Sequence, residues 1–135
     1  MFRYSICKPL EPEIIEMGAI NKEAARSLFD NFPWLKLLKQ YNTAAEKDIH
    51  YSPSLEIENQ ENQHSISISI VGDENQHEYY IFYKRPEIRK SFFGLFNRLE
   101  KNYLTERTGQ NKEAAQLAFQ ALIDNQVKVL KQNWG

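Results

Sequence analysis

Three histidines, His50, His64 and His77, are the residues of this chain best suited to hold a metal ion or to carry a proton near neutral pH. A shared ion needs their rings to converge. Two turns bear on that, one centred on residues 61–62 and one on residues 73–75, joining three strands that run from about Asp48 to Lys84. They place His64 at one end of a sheet, near Lys84, and His50 and His77 at the other. One strand lies between His50 and His77, a separation of about 9.6 Å. The expected reading is three polar histidines at strand ends on the surface, with no metal.

Glu56 and Glu58 are two apart on a strand and so share a face. Paired carboxylates serve as general acid and base when their surroundings drive their pKa values apart. Nothing in the neighbouring sequence raises either one, and a solvated face is the plainer expectation. Cys7 is the one thiol. It has no His or acid beside it in the sequence to activate it, so it reads as a small, partly buried residue. The chain contains no glycine-rich phosphate loop, no paired-cysteine zinc motif and no His-Glu-x-x-His. The expectation is a protein without cofactor, more suited to binding than to catalysis.

The elements that must position these residues follow from apolar spacing. Phe2, Tyr4 and Ile6 alternate with polar neighbours as in a short strand, and residues 13–20 fit either a strand or a helical turn. Asn21 can cap a helix whose apolar side runs through Ala25, Leu28, Phe29 and Phe32. Pro33 kinks that helix or starts a second one that ends near Asn42. Period two then takes over, with Ser65 to Ile70 alternating strictly as Ser-Ile-Ser-Ile-Ser-Ile, and His77 to Lys84 carrying aromatics on both faces. Phe92, Phe96, Leu99 and Tyr103 have helical spacing, with Leu95 beside them and Gly109 as a stop. Asn111 opens a last helix with apolar residues at Ala115, Ala118, Phe119, Leu122, Val127 and Leu130. Asn-Lys-Glu-Ala-Ala occurs at 21–25 and 111–115, each copy at a helix start. Glu-Asn-Gln-His occurs at 61–64 and 74–77, each copy leading into a strand. The predicted fold is α+β: a three- or four-stranded antiparallel meander with helices mainly on one face, in the order β-α-β-β-β-α-α.

The 135 residues fit one domain spanning 1–135, and 41% apolar content suffices for a packed core. A single cysteine excludes an internal disulfide. The longest apolar stretch, Phe92-Phe93-Gly94-Leu95-Phe96, is far short of a membrane span, and the N-terminus lacks a signal-peptide core. The expected location is the cytoplasm, away from membranes.

Charge is divided along the chain. From Asp48 to Tyr83 there is no Lys or Arg, and seven acids (Asp48, Glu56, Glu58, Glu61, Asp73, Glu74 and Glu78) give a formal −7. Residues 84–107 carry seven cations and three acids, a formal +4. The overall −1 therefore hides two patches that either neutralise each other or meet a partner. Bulk charge argues against nucleic acid.

With those turns, Ile66, Ile68, Leu55, Ile57, Tyr80 and Phe82 share the core face. The other face shows Ser65, Ser67 and Ser69 between Glu56 and Glu58 on one side and Tyr79, Ile81 and Tyr83 on the other. Small serines between acids and aromatics form a shallow groove suited to a protein partner with a basic surface. The expectation is a small non-enzymatic binding protein of the toxin-neutralising (immunity) or chaperone-like kind, such as bacteria use. The alternative is a ligand-binding domain or enzyme with a pocket between sheet and helices lined by Tyr51, Tyr80, Phe92 and Phe96.

Overall fold

The computed structural model describes residues 1–91, 94 and 96–135. Six strands form one antiparallel sheet in the spatial order β2-β1-β3-β4-β5-β6: β1 Phe2–Cys7, β2 Ile15–Ile20, β3 Ser54–Asn59, β4 His64–Gly72, β5 His77–Ser91 and β6 Phe96–Gln110. The described residues also form five α-helices, α1 Lys22–Ala25, α2 Leu28–Asn31, α3 Trp34–Thr43, α4 Lys112–Ile123 and α5 Val127–Trp134, and a 3-10 turn at Glu46–Asp48. The α+β class and the antiparallel sheet are as expected. The strand count is larger, because residues 15–20 of the ambiguous stretch form β2, and residues 96–103, where the spacing predicts a helix, lie in β6.

The helix starts follow local chemistry. Asn21 Oδ1 accepts from the Ala24 amide and Asn111 Oδ1 from the Ala114 amide, each at 2.8 Å, so both Asn-Lys-Glu-Ala-Ala copies cap a helix. Phe32 is extended before Pro33, and Pro33 is the N-cap of α3. In α4, Ala115 and Ala118 are fully buried beside Phe119, and their small size lets the helix lie close to the sheet. All five helices bury side chains in one cluster with Leu55, Ile57, Ile66, Ile68 and Ile70, so they cover the same face of the sheet.

Two corrections concern the β5 region. The first turn behaves as expected, with Asn59 opposite His64. The second spans four residues. Asp73 Oδ1 accepts from the amides of Asn75 and Gln76 at 2.9 and 2.7 Å, which sets Gly72 opposite His77. Ile66 therefore faces Tyr83 rather than Phe82. This slip of one residue exchanges the faces of β5: Tyr79, Ile81 and Tyr83 enter the core, and Tyr80 and Phe82 stand on the far side.

The second correction is the Phe92–Tyr103 stripe. Phe92 and Leu95 lie outside the described residues, while Leu99 and Tyr103 belong to β6. Between Arg85↔Tyr103 and Glu87↔Glu100, β6 has two residues, Lys101 and Asn102, against Pro86 alone. This bulge puts Leu99 and Tyr103 on opposite faces, so their four-residue separation resembles a helical stripe without being one. Gly109, with φ +64°, falls near the end of β6 instead of ending a helix. Beyond Arg85, β5 has no β4 residue beside it, and β5 and β6 continue as a two-stranded ribbon.

Candidate functional site

The face opposite the helices is built by cross-strand register. One row runs Arg3, Glu58, Ser65, Lys84, Leu104 across β1, β3, β4, β5 and β6. The next runs Glu16, Ser5, Glu56, Ser67, Phe82, Glu106, starting from β2. A third runs Cys7, Ser54, Ser69, Tyr80. Neighbouring strands sit about 4.8 Å apart, so the serines of β4 form a low channel between an acidic column on β3 and an aromatic column on β5. Ser54 Oγ and Ser69 Oγ are 2.7 Å apart at one end of it.

Of the residues expected here, Glu56, Glu58, Ser65, Ser67 and Ser69 lie together on this face. Glu56, Glu58, Ser67 and Ser69 are half-buried. Ser65 is 1% exposed, despite its face. Tyr79, Ile81 and Tyr83 do not join them; they are buried among the helices. Tyr80 and Phe82, both half-buried, take their places. Tyr80 is thus turned away from the helices, and Tyr51, whose hydroxyl donates to the Pro12 carbonyl at 3.3 Å, lies outside the strands; the expected aromatic pocket does not form around these two.

The acids gather only in part. Glu61 is in the turn at one end of the sheet, Asp73 and Glu74 are in the turn at the other, and Asp48 ends a short 3-10 turn. Glu56 and Glu58 are instead joined by Glu16, from outside the cation-free segment. With Arg3 and Ser5 these three carboxylates line a shallow hollow of about 170 Å³. Burial pushes the Glu56 carboxyl above its ordinary value; Lys84 opposes this, and Glu58 and Glu16 add to it. Sequence reasoning missed this shift because the burial that causes it, and the approach of Glu16 through β1, both follow from how the strands pair. Burial, then Glu56 and Glu16, also raise the Cys7 thiol and keep it protonated. The ion pairs among the described residues are Lys22–Asp124, Arg26–Asp124, Arg85–Glu87 and Lys131–Glu87. None joins the acidic segment to the basic stretch, so the two patches do not neutralise each other by direct pairing.

The histidines are separate. The His50 amide donates to the Pro9 carbonyl at 2.8 Å, and His77 Nδ1 lies 3.0 Å from the Asp73 carbonyl. His64 is buried, contrary to expectation, with Nδ1 at 2.7 Å from the Tyr83 hydroxyl. Burial lowers its pKa, and the Lys131 and Arg85 charges lower it further. Burial drives Tyr83 up to about 12. Both rings are neutral at pH 7, and their bond joins β4 to β5. Beside them Arg85 Nη1 donates to Thr105 Oγ1 at 2.6 Å, and Thr105 donates to the Trp134 carbonyl at 2.6 Å. Sequence reasoning missed this network because it follows from the same slip that buried Tyr83.

Comparison of the chain with protein families, with characterised proteins and with solved structures gave no match.

Proposed function

We propose that this chain is a non-enzymatic docking protein of the toxin-neutralising or chaperone-like kind, acting in a bacterial cytoplasm, which holds a protein partner on the open face of its sheet. The observation that carries this reading is the crowding of Glu16, Glu56 and Glu58 on that face, with no cation within ion-pair distance among the described residues. Burial of Glu56 beside two further carboxylates costs stability, and a partner's Lys or Arg offsets the cost on binding. Tyr80 and Phe82 contribute rigid contact area alongside, and the serines leave room for a partner's side chains. Corrected for the slip in β5, the partner-binding set is Glu56, Glu58, Ser65, Ser67, Ser69, Tyr80 and Phe82. Tyr79, Ile81 and Tyr83 act from the core by holding β5 in place.

The test is affinity capture from the source organism with the wild-type chain and with a Glu56→Lys, Glu58→Lys, Phe82→Ala variant, followed by titration of the captured protein. The expected result is a basic partner held by the wild type, with affinity that falls as salt rises, and lost by the variant. Equal capture by the two chains, or capture of nothing specific, would sink the reading.

A further inference from the structure

The two edges of the sheet differ. β2, at one edge, is six residues long and is broken by a register shift near Gly18, whose φ is +88°. That edge is blunted in the usual way. β6, at the other, is fifteen residues long. It hydrogen-bonds to β5 on one side; apart from the Glu106 and Thr108 carbonyls, which accept from the Arg107 and Gln110 side chains, no other hydrogen bond among the described residues uses a β6 backbone group. Such an edge is a template for another strand.

The side chains along β6 indicate which strand fits. Leu99 and Leu104 flank the Lys101–Asn102 bulge on its two sides. Leu104 lies opposite Lys84 and Leu99 opposite Ile88, and both leucines stand on the open face. They are 57% and 54% exposed, and Ile88 is 67% exposed. If a second β6 runs antiparallel to the first, a twofold axis through the bulge sets Leu99 opposite the partner's Leu104. The same register sets Glu100 opposite the partner's Tyr103, Arg98 opposite the partner's Thr105 and Asn97 opposite the partner's Glu106, so no like charges oppose. Sliding by two residues one way places Arg98 opposite the partner's Arg107 and Leu99 opposite the partner's Glu106. Sliding the other way leaves Leu99 facing the partner's bulge. Of these three registers, that one is self-complementary in both charge and apolar contact.

We infer that two copies of this chain associate through their β6 edges, Leu99 against the partner's Leu104, doubling the six-stranded sheet into one continuous sheet about a twofold axis. The pairing forms two identical apolar rows, each of Ile88, Leu99 and the partner's Leu104, and gives residues 96–107 of each β6 a second strand neighbour. It leaves the Glu56 face open and stands independently of what docks there.

Sedimentation equilibrium of the full chain tests this over about 1 to 500 μM, the range suited to a modest edge-to-edge contact. The weight-average mass is expected to rise from 15.9 kDa towards twice that value. Leu99→Lys alone and Leu104→Glu alone each weaken association by about tenfold, since every substitution enters the interface twice. The chain carrying both substitutions recovers it, because each new lysine faces a new glutamate of the partner. Should a variant misfold, hydrogen exchange on the wild type decides: β6 amides gain protection as concentration rises. A constant monomer mass, a dimer indifferent to both single substitutions, failure of the double variant to recover, or β6 protection unchanged by concentration would overturn the inference.

Discussion

The Tyr83 hydroxyl lies 2.7 Å from His64 Nδ1, a buried bond that fastens the start of β4 to the middle of β5. Burial is the main reason the His64 pKa falls below its ordinary value of 6.5. The unfolded chain therefore takes up the proton more readily than the folded one. Stability contributed here is complete above pH 6.5 and is lost as pH falls towards and through the lowered folded value. Thermal melts between pH 7.5 and 5 should show a declining Tm, and His64→Gln, which keeps a polar partner for Tyr83, should flatten that decline by about half or more. A variant with the wild-type slope would place the titrating group elsewhere.

Glu56 behaves in the opposite sense. Its folded pKa is raised above 4.5, chiefly by burial, so the folded state holds the proton more tightly and stability falls as pH rises through that interval. At pH 7 the charged form still costs stability. Glu56→Gln should raise Tm at pH 7 by about 2–4 °C and leave it nearly unchanged below the ordinary carboxylate pKa. The same variant should bind the partner less tightly. A Tm lowered at pH 7 would show that Lys84 outweighs burial and the neighbouring acids.

Arg85 is 4% exposed, pairs with Glu87 through Nε at 3.2 Å, and lies over the Tyr83 and Tyr103 rings at 4.4 and 4.6 Å. Arg85→Ala removes a buried guanidinium and its bonds to Thr105 and Glu87, while Glu87, 28% exposed, keeps Lys131, so the substitution should cost about 2 kcal/mol in urea unfolding. Arg85→Lys should fall between the two, because an ammonium lacks the planar fork that reaches both Thr105 and Glu87. Arg89 lies over the exposed side of Tyr103 at 4.4 Å, and Arg89→Ala should cost about 0.5–1 kcal/mol. Equal losses at the two arginines would remove the distinction drawn from burial.

The two asparagine caps offer an internal comparison. Asn111→Ala and Asn21→Ala each remove a side-chain bond of 2.8 Å to the helix amide three residues on. Each loss should cost about 1 kcal/mol. Asn111 should cost the more, since α4 has twelve residues anchored in the core and α1 has four. Denaturation midpoints of the two variants measure the difference directly.

Much of this arrangement is legible in the amino-acid sequence. Strict alternation over residues 65–70 identifies β4 and its buried face, the first turn sets Asn59 opposite His64, and the repeated Asn-Lys-Glu-Ala-Ala marks two helix starts by a capping rule that acts within one turn. Each of these depends on neighbours a few residues apart. β5 carried no such signal: Tyr79, Tyr80, Ile81, Phe82 and Tyr83 are all apolar or aromatic, so the pattern cannot say which face is which.

Tertiary structure decided that question through distant bonds. Asp73 closes a four-residue turn and moves β5 by one position, which buries Tyr79, Ile81 and Tyr83 and turns Tyr80 and Phe82 outward. The bulge at Lys101–Asn102 made a strand of a stripe with helical spacing. Pairing of β1 with both β2 and β3 brought Glu16 to Glu56 across forty residues of sequence. Side-chain pattern alone determined the α+β class and most of the elements, because propensity and capping act locally, but it left β2 ambiguous and gave β6 the spacing of a helix. Which faces met, and which carboxylates crowded together, depended on register, which turns and bulges set one residue at a time.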